Sequence, residues 1–149
     1  MAEVEIVGFT GTQQGMNPVQ AGRVIALLME LRPEVVVHGD CVGADADFDE
    51  LMQSLKREGV AVRVEIRPGV DAQGKSPARA YTKTANTVHQ AKPYMKRNED
   101  IVRQCDVLIA APAQDKMAVR SGTWATVRRA LKMQKPVYVV MRNGDVELL

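Results

Sequence analysis

The chain has 149 residues, 46% hydrophobic and 26% charged, with a formal net charge of +2. That length suits a domain with its own core, needing neither disulfide nor metal to hold it, and no apolar stretch approaches the roughly 18 residues of a membrane span. With only Cys41 and Cys105, and a start (Met1-Ala2-Glu3-Val4-Glu5) that lacks the basic and apolar blocks of a secretory signal, a reducing, cytoplasmic setting is expected.

Glu3 to Phe9 reads as a strand, followed by the turn-forming stretch Thr10 to Met16. Asn17 is a suitable N-cap with Pro18 at the first helical position, and Val24, Leu27, Leu28 and Leu31 form one apolar face of a helix that Pro33 closes. Glu34 to His38 holds the run Val35-Val36-Val37, as suits a strand covered on both faces. Ala44, Phe48, Leu51, Met52 and Leu55 recur at helical spacing up to Glu58, with acids first and Lys56-Arg57 last, and Gly59 ends the pattern. Val60 to Ile66 reads as a third strand.

Residues 67–93 have no strong period and contain Gly69, Gly74, Pro68 and Pro77, so they read as one long loop. Tyr94 to Cys105 then reads as a helix, Val107 to Ala111 as a strand, Gly122 to Met133 as a helix, and Pro136 to Met141 as a strand. Asn143-Gly144 turns the chain into a short last strand, Val146 to Leu149. Alternation of this kind predicts a single α/β domain over 1–149. It would be Rossmann-like and three-layered, with a mostly parallel sheet, helices on both faces, and a ligand outside the carboxyl ends of the strands.

Charge is uneven along this order. Residues 1–66 carry five Lys/Arg against eleven Asp/Glu, while residues 67–97 carry seven Lys/Arg against Asp71 alone. Two readings of the basic segment stand side by side: an attractor for an anionic ligand, and a solvated loop.

Three glycine-bearing loops follow strands. Thr10-Gly11-Thr12 lacks the full dinucleotide fingerprint and has no P-loop lysine, so it is either a phosphate-facing turn or an ordinary tight one. In His38-Gly39-Asp40-Cys41-Val42-Gly43-Ala44-Asp45 the glycines permit close backbone approach, and the acids repel phosphate, which points Asp40 and Asp45 toward neutral hydroxyls such as those of a ribose. For Asp45 a plain helix N-terminal acid is the alternative. Cys41 reads as a small packed residue. Ser121-Gly122-Thr123 opens a helix with donors and no adjacent acid, as an anion prefers, and Trp124 reads as core with base stacking as the alternative. Asn98 falls on the apolar face of its helix with Tyr94, Ile101 and Cys105, and Arg97 beside it has a fork suited to phosphate or carboxylate.

Taken together, the turn after the first strand, the His38 to Asp45 loop, Lys96-Arg97-Asn98 followed by Asp106, and Ser121-Gly122-Thr123-Trp124 resemble the SLOG superfamily of Rossmann-like nucleotide-binding proteins, which includes the Smf/DprA and Lonely Guy groups. The likeness covers nearly the whole chain and is nearest to small stand-alone bacterial or phage members. It implies a nucleotide site built from these loops. In the Lonely Guy branch a PGG-x-GT-x-x-E motif supplies a catalytic glutamate. Here the PGG is absent, Thr126 stands at the glutamate position, and Arg97 matches the assisting arginine. The expectation is binding of a nucleotide or nucleotide-derived small molecule, as a sensor or sequestering module, at Thr10, Gly11, Gly39, Asp40, Gly43, Asp45, Arg97, Asn98, Ser121, Gly122 and Thr123. N-glycosidic cleavage or glycosyl transfer on nucleotides is the alternative, and single-stranded DNA binding the third reading. With few aromatic platforms, nucleic acid is not an expected partner. A homodimer or higher homo-oligomer is expected, without membrane, metal or cofactor.

Overall fold

The computed structural model describes residues 4–115 and 121–149. Strand β1 (Ile6–Gly11) runs beyond Phe9, because Thr10 and Gly11 find parallel partners in Ala110 and Ala111. Helix α1 (Pro18–Leu31) starts as its sequence dictates. The Asn17 side chain accepts the Gln20 N–H, the Gln20 side chain accepts the Asn17 N–H, and Pro18 occupies the first turn. It ends where Arg32 turns left-handed (φ 49°) ahead of Pro33.

Strand β2 (Val35–His38) is followed by helix α2 (Ala44–Arg57), with Asp45 and Asp47 in its first turn and Lys56 and Arg57 in its last. Strand β3 (Arg63–Ile66) starts later than Val60, whose N–H is taken by the Leu55 carbonyl at the end of α2. The segment 67–93 is not one plain loop. It contains β4 (Gly69–Val70), β5 (Thr87–Val88) and β6 (Lys92–Pro93), each too short for alternation to be seen in sequence. Helix α3 (Tyr94–Gln104), strand β7 (Val107–Ala111), helix α4 (Gly122–Lys132), strand β8 (Val137–Val140) and strand β9 (Val146–Leu148) complete the order.

The main sheet runs β5-β3-β2-β1-β7-β8-β9, parallel throughout except for the β8–β9 pair, and β4 pairs with β6 in a separate ribbon. Residue alternation along the strands divides the core. Val7, Phe9, Val36, Val64 and Ile109 pack with Val24, Leu28, Phe48 and Met52 of α1 and α2. Val37, Leu108, Ala110 and Val137 pack with Ile101, Val102, Trp124 and Val127 of α3 and α4. The expected three-layer, Rossmann-like α/β architecture with helices on both faces is therefore present. Phe9 and Phe48 stack with ring centroids 4.3 Å apart, which joins β1 to α2 directly.

Asp106 is a structural acid. Its Oδ2 accepts the N–H groups of Glu5 and Ile6 at 3.0 and 2.9 Å and so holds the entry to β1. Among the described residues, no helix is long and apolar enough to cross a membrane.

Candidate functional site

The chain leaves β1 outward to β2 and β3, then returns to β7 on the other side of β1. Strand order reverses there, and a doubly wound sheet opens a crevice at the carboxyl ends of the strands at such a point. A cleft of about 410 Å³ lies there, lined by Phe9 to Gln14, Gly39, Cys41, Asp45, Arg97, Asn98, Ile101, Ala113, Gln114 and Ser121 to Thr123. Of the residues expected at the site, Thr10, Gly11, Gly39, Asp45, Arg97, Asn98, Ser121, Gly122 and Thr123 border this one cleft. Asp40 and Gly43 do not.

The two helix starts at the cleft differ in what they can hold. At α2 the first N–H, that of Ala44, is taken by the Thr12 carbonyl at 2.8 Å, and Asp45 adds negative charge in the first turn. At α4 the Ser121 hydroxyl accepts the Trp124 N–H, while Gly122 and Thr123 border the cleft and a Cβ built on Gly122 would meet nothing within 4 Å. An anionic group therefore fits at α4 and is disfavoured at α2.

Between them lies a buried pair of opposite charges. Asp45 is only 5% exposed, and its Oδ2 accepts the Gly39 and Cys41 N–H groups at 3.2 and 3.1 Å. Its Oδ1 is buried with no hydrogen-bond partner among the described residues. Burial pushes the Asp45 carboxyl above its ordinary range, against the opposing pull of His38, Arg97 and the two backbone donors. Arg97 is 6% exposed. Its Nε donates to Asn98 Oδ1 at 2.7 Å, and its Nη1 donates to the carbonyls of Gly39 (2.7 Å) and Arg67 (3.1 Å). A Cβ on Gly39 would sit 2.4 Å from Arg97 Nη1 and 3.1 Å from Asp45 Oδ2, so glycine there is what lets the guanidinium and carboxylate crowd against the backbone.

Arg97 thus braces two loops as well as facing the cleft, and a lysine cannot reproduce its planar fork. Arg97→Lys should leave a buried carbonyl unpaired and reduce stability by about 1 to 3 kcal/mol in urea unfolding. A change below about 0.5 kcal/mol would mean that the bracing bonds carry little.

Asp40 lies outside the cleft because its carboxylate is fully engaged elsewhere. Oδ2 accepts Arg79 Nε at 3.0 Å, and Oδ1 accepts the Thr82 N–H and hydroxyl at 3.0 and 2.8 Å. It fastens the 76–84 strap to the β2–α2 loop, helped by the Ala80 N–H to Asp40 carbonyl and Val42 N–H to Ala78 carbonyl bonds. What approaches Gly43 is likewise protein: a Cβ there would lie 2.3 Å from the Gln13 carbonyl oxygen. The cations of the basic segment are also mostly tied into the fold. Arg79 pairs with Asp40, and Lys92 and Lys96 with Asp100. Only Arg97 brings charge from that segment to the cleft.

His38 is fully buried. Its Nδ1 accepts the Asp40 N–H at 3.0 Å, which fixes the hydrogen on Nε2, and that atom lies 2.9 Å from Asp49 Oδ1. Burial, the largest influence, pushes Asp49 up, but hydrogen bonds from His38 and Thr84 together outweigh it and hold the carboxyl below its ordinary range. Trp124 is core, 3% exposed, with its Nε1 donating to the Gln114 carbonyl, which removes the base-stacking alternative. The helical reading of α3 needs one adjustment: Arg97 is buried, whereas Asn98 is half-buried at the cleft rim. Cys41, read as packed, instead lines the cleft, its Sγ 3.5 Å from Arg97 Nη2 and its thiol pushed up first by burial and then by Asp45. Gln13, Gln14 and Gln114 were not anticipated. A glutamine in a turn carries no spacing signal, and the sheet order alone brings these three to one place.

No model of a known protein family and no curated protein sequence matches the chain.

Proposed function

We propose that this chain binds a nucleotide or nucleotide-derived small molecule in the β1–β7 cleft and acts as a sensor or sequestering module of SLOG type. The observation that carries the reading is the polarity of the cleft. A helix start at Ser121, Gly122 and Thr123 offers donors to a phosphate, and one buried carboxylate with an oxygen that has no partner among the described residues, Asp45, stands where an uncharged polar part of the same ligand would lie. Among the described lining residues Arg97 is the only cation and Asp45 the only acid, so the site suits a ligand with one anionic end and one hydroxylated or otherwise polar end.

A thermal-shift screen of nucleoside monophosphates, cyclic nucleotides and ADP-ribose derivatives tests this. A true ligand at about 100 times Kd adds about 2.7 kcal/mol, which raises the midpoint by about 5 to 10 °C. A flat response across the panel would defeat the proposal. N-glycosidic cleavage is the second reading, and one observation favours it: burial pushes the Asp45 carboxyl toward its protonated form inside the cleft, as a proton donor requires.

A further inference from the structure

We infer that the cleft selects ribose over deoxyribose, with the free Oδ1 of Asp45 as the atom that recognises a single sugar hydroxyl. This rests on the nucleotide reading and makes it narrower. Asp45 differs from the other acids of its loop and helix. Asp40 and Asp49 have both carboxylate oxygens engaged, by Arg79 with Thr82 and by His38 with Thr84 respectively. Asp47 accepts the Met16 N–H at 2.9 Å. Asp45 alone combines near-complete burial, a place on the cleft wall and an oxygen with no partner among the described residues. A buried unpaired carboxylate oxygen is unfavourable, and a ligand group that pairs with it recovers that free energy on binding.

The geometry also selects the kind of group. Oδ2 is already occupied by the Gly39 and Cys41 N–H groups, so Asp45 cannot receive the two parallel N–H donors of a guanine edge in bidentate fashion. One oxygen, buried and without a partner among the described residues, is left for one donor. The same cleft also carries groups that can only donate. Asn98 must present Oδ1 to Arg97 Nε, because Nε is a donor, and this leaves the Asn98 amide hydrogens for an acceptor. A hydroxyl gives a hydrogen to Asp45 and takes one from such a neighbour. A base amino group can only give.

The test compares ribose 5-phosphate, ADP-ribose and the four common ribonucleoside 5′-monophosphates with their 2′-deoxy and 3′-deoxy counterparts by isothermal titration calorimetry on the unmodified chain. At least one ribo compound should bind about 10- to 100-fold more tightly than one of its two deoxy forms, since the deoxy ligand leaves Oδ1 unpaired. In Asp45→Asn the side-chain oxygen can still accept from Gly39 and Cys41, so the fold is retained, and the preference should shrink to about threefold or less. Equal binding of ribo and deoxy forms by the unmodified chain overturns this inference and leaves the nucleotide reading standing. Failure of every one of these probes, and of the cyclic nucleotides, to bind overturns both. A ribo preference undiminished in Asp45→Asn assigns the hydroxyl to another residue and also overturns the inference.

Discussion

Gly43→Val is expected to lower the free energy of unfolding by about 3 to 5 kcal/mol and the thermal midpoint by about 10 °C or more. Two separate penalties add. Gly43 has φ +89°, a region that a β-branched residue scarcely enters. A Cβ there would also lie 2.3, 2.4 and 2.6 Å from the carbonyl oxygen, carbonyl carbon and Cα of Gln13, which are backbone atoms with no rotamer to yield. The opposing loop cannot retreat freely, because Thr12 accepts the Ala44 N–H and Asp47 accepts the Met16 N–H. Gly59 is the control. It has φ +92° but open space around its Cβ position, so Gly59→Val incurs the conformational strain alone. Urea unfolding of the two variants isolates the clash, and equal losses would show that the β1–α1 loop moves aside at negligible cost.

Gly43 marks a limit of what the sequence could tell. A glycine two residues before an acid at a helix start signals close approach, but not of what. Local chemistry predicted the caps and periods well. Asn17, Pro18 and Gln20 form α1's start, the Val35 to Val37 run is a central strand, and the Ser121 hydroxyl caps α4. These features depend on residues a few positions apart. The division of labour among Asp40, Asp45 and Asp49 does not, because it depends on Arg79, Thr82 and Thr84 arriving from a strap some 30 to 40 positions later. Before that strap is placed, all three acids look alike. After it is placed, only one retains an unpaired oxygen beside the cleft.

The same reasoning explains the two neighbours on α3. Helical spacing put Asn98 with Ile101 and Cys105, yet Arg97 is the more deeply buried. Its long side chain crosses from α3 to the carbonyls at the ends of β2 and β3, Gly39 and Arg67, which receive no backbone N–H among the described residues. A hydropathy pattern treats arginine as a surface residue and cannot register such a demand. The short strands β4, β5 and β6 escaped notice for a related reason. Their pairing partners are distant, and two residues are too few to express a period.

A nucleoside 5′-monophosphate incubated with the chain should release free base about 10² to 10⁴ times more slowly than with a hydrolase that has a catalytic carboxylate in place, as measured by chromatography of the products. On the proposed likeness to Lonely Guy hydrolases, Thr126 would take the place of their glutamate, and it is 1% exposed with its hydroxyl donating to the Gly122 carbonyl of its own helix. Thr126→Glu should therefore not create an active enzyme. It would bury a carboxylate against the α4 core and destabilise the fold by several kcal/mol. The acids nearest Arg97 in sequence offer no substitute, since Glu99 is paired with Lys96, Arg103 and Arg129, and Asp100 with Lys92 and Lys96, and neither lines the cleft. Among the described lining residues Asp45 is the one acid placed to act. If multiple turnover proves rapid and Asp45→Asn abolishes it while ligand binding survives, the chain is a hydrolase whose carboxylate comes from α2, and the binding-only reading fails.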